Sequence, residues 1–313
     1  MTATDQESAT TLPDGLFPIR TVARLTGVNP ITLRAWERRY NLIHPQRTPK
    51  GHRLYTQQDI ERIKEMVKLL DQGISISQAK PLLDRPASQT LSVSTSDTSD
   101  VWQNYQEKML RAVERFDEQA LDTSYNDALS LYPVDIVNVR LTVPLLRLLG
   151  ERWQEREAGI AEEHFFSFYL RNKLTTRIHH MNQRSGGSLL LLACLPGEYH
   201  DIGLLLFALA AVNQGYRVLL LGANTPLEQL AKVVEKRTCE AVILSGSSRP
   251  VRGLFDIGLP QLVGSIEVPV FIGGRTAAIH QEKIEKAGAL CLGENIGYGL
   301  KLVGEILSSH RLG

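Results

Sequence analysis

The feature that most constrains this chain is the alternation across its last third. "SLLLLACL", "RVLLLG", "AVILSG", "PVFIGG" and "ALCLG" are short, nearly continuous apolar runs. Between them lie longer segments with apolar residues three and four apart, such as "DIGLLLFALAAVNQGY", "PLEQLAKVVEKR" and "AIHQEKIEKAG". Continuous apolar runs suit strands buried on both faces, and helical spacers suit crossovers between parallel neighbours. The pattern predicts an α/β domain, a doubly wound parallel sheet, over residues 186–313, with a further helix near 260–265. Ligands of such sheets bind outside the carboxyl ends of the strands, at the switch point. The first strand ends in Pro196-Gly197-Glu198-Tyr199-His200-Asp201-Ile202-Gly203, which sets a carboxylate and an imidazole two residues apart at that edge.

Composition divides the rest. Residues 1–15 read as a polar, disordered tail. Residues 86–100, "PASQTLSVSTSDTSD", read as a flexible Ser/Thr-rich linker. "QRSGGS" at 183–188 is a shorter joint. The domains expected are therefore 16–85, 101–185 and 186–313. The three cysteines, Cys194, Cys239 and Cys291, are widely spaced and suit free thiols in a reducing cytosol. With no long unbroken apolar run and a polar N-terminus, neither a membrane span nor a signal peptide is expected, and the chain reads as cytoplasmic.

Between Phe17 and Tyr55 stand eight Lys/Arg against the single acid Glu37, a local excess of seven positive charges in a chain whose net charge is +1. Such a field suits a polyanion, although a solvated basic face has the same composition. "IRTVARLTGV" reads as a short amphipathic helix, with Ile19, Val22, Ala23 and Leu25 on its apolar side, stopped at Gly27. "NPITLRAWERRY" follows with Asn29 as N-cap and Pro30 at the first helical position. This is a helix-turn-helix, whose second helix enters the major groove of double-stranded DNA. Thr32, Arg34 and Arg38 lie on that helix as DNA-binding candidates, while Leu33, Trp36 and Tyr40 have core spacing. A basic, Pro/Gly-rich loop carrying Lys50 comes next, then a long amphipathic helix and a short one. The run "LRAWERRYNLIHPQRTPKGHRLY" resembles the MerR family of transcriptional regulators over residues 16–84. The resemblance implies a winged helix-turn-helix whose wing residues Arg53 and Tyr55 contact the DNA backbone. No cysteine precedes Cys194, so the cysteine-based metal sensing of many MerR members is not expected.

Residues 101–185 read as a four-helix bundle, with apolar repeats at Met109, Val113 and Phe116 and at Leu141, Leu145, Leu148 and Leu149, punctuated by Pro133, Pro144 and Gly159. Trp153 closes one helix and Glu163-His164 opens the next. Spacing alone leaves open whether these are an exposed acidic turn with an interfacial Trp or parts of a site.

Glu198-x-His200-x-x-Gly203 is followed after 41 residues by Ser245-Gly246-Ser247, and after 25 more by Gly273-Gly274. This resembles the cobalamin-binding domain, a flavodoxin-like fold with the pattern Asp-x-His-x-x-Gly, Ser-x-Leu and Gly-Gly. The resemblance implies His200 as the lower cobalt ligand, its one metal-binding residue. Glu198 orients His200, while Gly203, Ser245, Ser247, Gly273 and Gly274 line the slot for the nucleotide tail. Imidazole suits cobalt, and a carboxylate behind it fixes the tautomer and raises its basicity. Head, bundle and cobalamin domain in this order resemble the cobalamin-dependent, light-responsive MerR-type repressors. That resemblance implies that Trp153, Glu163 and His164 cover the upper corrin face and the 5′-deoxyadenosyl group of adenosylcobalamin, held between bundle and sheet. Light-responsive relatives can carry a His directly after that Trp; here it is Gln154. The expected protein is a homo-oligomeric repressor of operator DNA, not an enzyme, controlled by a corrinoid and responsive to light. Two other readings compete. One is a cobalamin-free regulator signalled by a photoreceptor or other partner protein. The other is a corrinoid methyltransferase or mutase subunit, against which the basic head argues.

Overall fold

The computed structural model describes residues 15–84, 96–152, 157–183 and 185–310. Two compact units, Met1–Phe166 and Ser167–Gly313, divide the chain. All but the last residue of the expected tail, and the expected linker up to residue 95, lie outside the described residues, as do Trp153 and Gln154.

The first unit opens with β1 (Phe17–Pro18), α1 (Ile19–Thr26), α2 (Pro30–Tyr40), β2 (Gln46–Arg47), β3 (Arg53–Tyr55), α3 (Gln57–Asp71) and α4 (Ile76–Leu83). Gly27, at φ 71°, ends α1, and its N–H bonds back to the Ala23 carbonyl. Asn29 caps α2: its side-chain oxygen accepts from the N–H of Ile31 and Thr32, both at 2.9 Å. Such a cap is worth about 1 kcal/mol. The strands pair antiparallel in the order β1-β3-β2 and form the wing. Val22, Leu33, Trp36, Ile60, Ile63 and Leu70 fill the core beneath. Leu25, expected on the packed side of α1, is instead 39% exposed.

The bundle begins with α5 (Ser96–Glu114), which starts inside the stretch expected as linker. It continues through α6 (Glu118–Leu131), α7 (Val134–Val137), a π-turn over Asn138–Thr142 and α8 (Val143–Arg152) to the first turns of α9 (Gly159–Asn182). The π-turn has a local cause. Pro144 has no N–H to offer the Arg140 carbonyl and its ring would crowd that oxygen, so the helix widens just before it. Gln106 of α5 donates to the freed carbonyl at 3.4 Å.

The second unit contains the remainder of α9, then β4 (Leu189–Cys194), α10 (Ile202–Asn213), β5 (Arg217–Gly222), α11 (Leu227–Arg237) and β6 (Ala241–Ser245). A π-turn (Leu254–Gly258) leads into α12 (Leu259–Ser265), followed by β7 (Val270–Gly273), α13 (Arg275–Ile279), α14 (Gln281–Lys286), β8 (Leu290–Gly293) and α15 (Ile296–His310). All five strands are parallel, in the order β5-β4-β6-β7-β8. The order reverses between β4 and β6, which is the switch point. β4 is buried at every position, as its unbroken apolar run requires. Side chains alternate between the faces. Leu191, Ala193, Leu244 and Ile272 join the core with α11, α12 and α14. Leu192, Cys194, Ser245 and Gly273 take the opposite parity, on the face packed by α10. Cys194 pairs with Ser245 and Ser245 with Gly273, so three strands end level. Among the described residues no helix is long and apolar enough to cross a membrane.

Candidate nucleic-acid interface and candidate metal centre

On α2, Arg34 and Arg38 are exposed, as is Lys50 in the loop between β2 and β3. Glu37 faces the wing. Its two oxygens hold Arg53 at 2.5 Å and Arg47 at 2.8 Å. Burial acts to raise the Glu37 carboxyl, but these two guanidinium groups together hold it below the ordinary carboxylate range. The single acid between Phe17 and Tyr55 is thus spent fixing the wing to the helix, and the Arg53 side chain, 18% exposed, is held against it.

Two DNA-binding candidates sit elsewhere than the sequence suggested. Thr32 is fully buried, its hydroxyl 3.3 Å from the Leu129 carbonyl of α6. Trp36 beside it donates its indole N–H to the Leu131 carbonyl at 2.8 Å, so one side of α2 rests on α6. Tyr55 is also fully buried. Arg53 and Tyr55, two residues apart in β3, share a face, and Tyr55 is the one fully buried. Burial, then the nearby Glu37 charge, push the Tyr55 phenol up to about 12. Neither residue offers a surface to DNA in this arrangement.

At the start of α9, Glu163 is half-buried and His164 exposed, with 3.7 Å between His164 Nε2 and Glu163 Oε2. The neighbouring Glu162, which the sequence reading did not single out, is the buried one.

The second unit carries a tighter constellation. Glu198, only 2% exposed, reaches from the loop after β4 to the loop after β6. One of its oxygens accepts from Ser247 N at 2.5 Å, Ser247 Oγ at 2.9 Å and Ser248 N at 2.7 Å. The other accepts from His200 N at 2.8 Å, His200 Nδ1 at 2.7 Å and Ser248 Oγ at 2.9 Å. Burial alone would raise this carboxyl, but the N–H groups of Ser247, His200 and Ser248 and the His200 ring hold it down at about 2. An ionised carboxylate accepts only, so Nδ1 of His200 carries a proton, and in the neutral ring the lone pair lies on Nε2. The His200 side chain is 74% exposed.

Ser248 is the functional residue that the sequence reading missed. A signal was present: Glu is one methylene longer than the Asp of the motif, and a Ser-Ser pair stands where its carboxylate arrives. Asn224 ties the same loop down, accepting from Gly197 N at 2.8 Å and donating its own N–H to the Glu198 carbonyl at 2.8 Å. Arg171 of α9 holds Asp201, next to His200, with Nη2 at 2.9 Å.

The arrangement fits a corrinoid. Among the described residues no three His, Cys, Asp or Glu side chains converge on a common point. His200 could supply one imidazole nitrogen to a metal held in a macrocycle. A Cβ at Gly203 would stand 3.8 Å from Ser245 Oγ, in ordinary contact, so Gly203 and Ser245 are neighbours on the α10 face. Gly273 borders the same face. Gly274 serves the protein instead: at φ 88°, a Cβ there would lie 2.5 Å from the Gly246 carbonyl oxygen, so its glycine lets the ends of β6 and β7 approach. Ser247 spends its hydroxyl on Glu198.

Comparison with known proteins agrees with this geometry. Residues 17–85 match the MerR HTH family regulatory proteins, and residues 105–177 and 188–299 match two B12 binding domain models. The HTH-type transcriptional repressor CarH of Myxococcus xanthus is 32% identical over 280 residues, covering 86% of this chain and 92% of that protein. The repressor CarA of the same organism is 28% identical, covering 87% and 91%. Among solved structures, the monomethylamine corrinoid protein of Methanosarcina barkeri aligns with a TM-score of 0.52 at 20% identity, covering 65% of this chain and 99% of that one, a likeness of fold.

Proposed function

The chain belongs to the MerR-type transcriptional regulators that carry cobalamin-binding domains, and on that premise we propose that it represses from operator DNA under the control of adenosylcobalamin bound through His200. It is a regulator and not an enzyme. The observation that carries the proposal is the Glu198 carboxylate on His200 Nδ1, which leaves Nε2 as a free, exposed donor at the switch point.

Adenosylcobalamin, when bound, would supply a cobalt that accepts an imidazole, and a light-sensitive cobalt–carbon bond. His200 Nε2 would hold the cobalt, and Glu198 would keep that nitrogen basic. Gly203, Ser245 and Gly273 admit the nucleotide tail, Gly274 shapes the strand ends, and Ser247 acts through Glu198. Trp153, Glu163 and His164 are assigned to the upper group. In the head, Arg34 reads base edges, while Arg38, Lys50 and Arg53 meet phosphates. An amide such as that of Gln154 would be a poorer cobalt ligand than the imidazole some relatives carry at that place in the sequence, so His200 would be the residue left to hold the corrinoid after illumination. The chain is proposed to act in the cytoplasm as a homo-oligomer whose assembly the intact cofactor favours.

The test is operator affinity of protein loaded with adenosylcobalamin, in darkness and after illumination. Tight binding in the dark and weakened binding in light support the proposal. Equal affinity in both states, matched by corrinoid-free protein, would instead favour a signal from a partner protein.

A further inference from the structure

A cavity opens at the same edge of the sheet, beside the His200 site, with Ser247 and Ser248 in its wall. It encloses about 330 Å³ between the loops after β6 and β7, lined by Ser247, Ser248, Arg249, Arg275, Thr276 and His280, with Pro250 and Ile279 as apolar surface. That is the lower end of the size range of small-molecule sites. The cavity opens away from the α10 face. Ser245 and Gly273 lie on the α10 face, whereas α13, which carries Arg275, Thr276 and Ile279, sends Ala277 into the opposite core.

The donors of this cavity are uncommitted arginines. Its hydroxyls are in use: Ser247 and Ser248 donate to Glu198, and Thr276 Oγ1 donates to the Ser248 carbonyl at 3.2 Å. The N–H groups of Thr276, Ala277 and Ala278 in α13 are taken by the carbonyls of Gly246 and Gly274. Arg249 comes from the loop after β6 and Arg275 from the start of α13, both exposed, and neither makes an ion pair among the described residues. The carboxylate at the Ser247–Ser248 wall, Glu198, already accepts six bonds and has no capacity left for them. Arg252, three residues beyond Arg249, adds a third exposed cation. Ile279 is 61% exposed, and His280 packs on the Phe255 ring at 5.2 Å between centroids, which gives the cavity an apolar side. Guanidinium forks facing a cleft match the oxygens of a phosphate, and the apolar side suits the organic part of its ester.

We propose that this cavity is a subsite for a phosphate ester, gripped by Arg249 and Arg275. Two sources share that chemistry: the phosphodiester in the nucleotide loop of the corrinoid itself, in which case the subsite rests on the reading of His200 above, and an independent phosphorylated small molecule. The probes are inorganic phosphate and adenosine monophosphate, titrated by calorimetry into the full chain, and cobalamin against cobinamide, which lacks the phosphate and the nucleotide. The variant is the double substitution Arg249→Gln, Arg275→Gln, with folding checked by circular dichroism. Saturable phosphate binding, weakened roughly tenfold or more in the variant and by added salt, is the expected result. If the corrinoid is the source, the variant also weakens cobalamin uptake but not cobinamide uptake, and cobalamin-loaded protein no longer takes the probe. If the source is independent, loaded protein takes the probe as before and cobalamin uptake is unchanged in the variant. A folded variant that matches the natural protein toward both probes and toward cobalamin overturns the proposal. Failure of the natural protein to take up any corrinoid would overturn the His200 reading alone, because the phosphate titration does not depend on it.

Discussion

Replacing Glu198 by glutamine keeps the size and shape of the side chain but breaks the logic of the loop it organises. All six partners of the carboxylate donate: three to one oxygen and three to the other. An amide has one oxygen, so in either orientation its NH2 faces the N–H groups of Ser247 and Ser248 or those of His200. Two buried donors left unpaired cost about 2–6 kcal/mol. A second route gives a similar figure. A carboxyl held at about 2 instead of its ordinary value of 4.5 is worth about 3 kcal/mol of folded stability at neutral pH. Because this pKa is depressed on folding, the contribution is complete above 4.5 and is lost as pH falls through about 2. The second unit contains no tryptophan, so the assay is amide hydrogen exchange at neutral pH, read at His200, Ser247 and Ser248. Glu198→Gln should lower protection there on the order of a hundredfold. A change under about threefold would refute the reasoning, since it would mean that the network contributes almost nothing to holding the two loops together.

Three further outcomes follow from the same structure. Arg34→Ala should cost roughly 1–3 kcal/mol of operator discrimination while leaving affinity for random DNA nearly unchanged; equal losses on both in a filter-binding assay would make Arg34 a phosphate contact. Glu37→Gln should destabilise the head by about 0.5–1 kcal/mol at neutral pH, because the Arg47 and Arg53 pairs are partly exposed. The lowered Glu37 pKa means that natural protein and variant should converge as pH falls below the ordinary carboxylate range, and a pH-independent gap in urea denaturation followed by Trp36 fluorescence would contradict that origin. Gly274→Ala forces a Cβ against the Gly246 carbonyl at positive φ and should cost about 1–3 kcal/mol; a thermal melt as stable as the natural protein would show that the strand ends part without cost.

The sequence was most readable where a residue's role is local. Gly27, Asn29 and Pro30 announce the turn between α1 and α2 because capping and left-handed backbone are properties of single residues. The five apolar runs announce the sheet because burial on both faces leaves no polar alternation. It was least readable where the partner is distant in sequence. Thr32 looks like a surface residue at a helix start until α6, some hundred residues on, covers it. Tyr55 lies in a three-residue strand, too short to show a period that would reveal its inward face. Ser248 is one serine among several until the carboxylate of Glu198, fifty residues earlier, reaches it. Gly-Gly at 273–274 was legible as a need for small residues, but only the structure separates Gly273, which borders the α10 face, from Gly274, whose freedom serves the Gly246 carbonyl.

The central claim is that His200 presents a prepared Nε2 to a cobalt that brings its own macrocycle. The most direct measurement is cobalt retained per chain after the full-length protein is incubated with adenosylcobalamin in darkness and dialysed, set beside the absorption spectrum of the retained cofactor, for the natural protein and for His200→Ala. The account predicts about one cobalt per chain with an imidazole-ligated spectrum in the natural protein, and in the variant a loss of roughly tenfold or more in retention, the order expected when a metal ligand's support is removed. Equal retention and equal spectra in the two proteins would contradict it, and so would a natural protein that retains no cobalt.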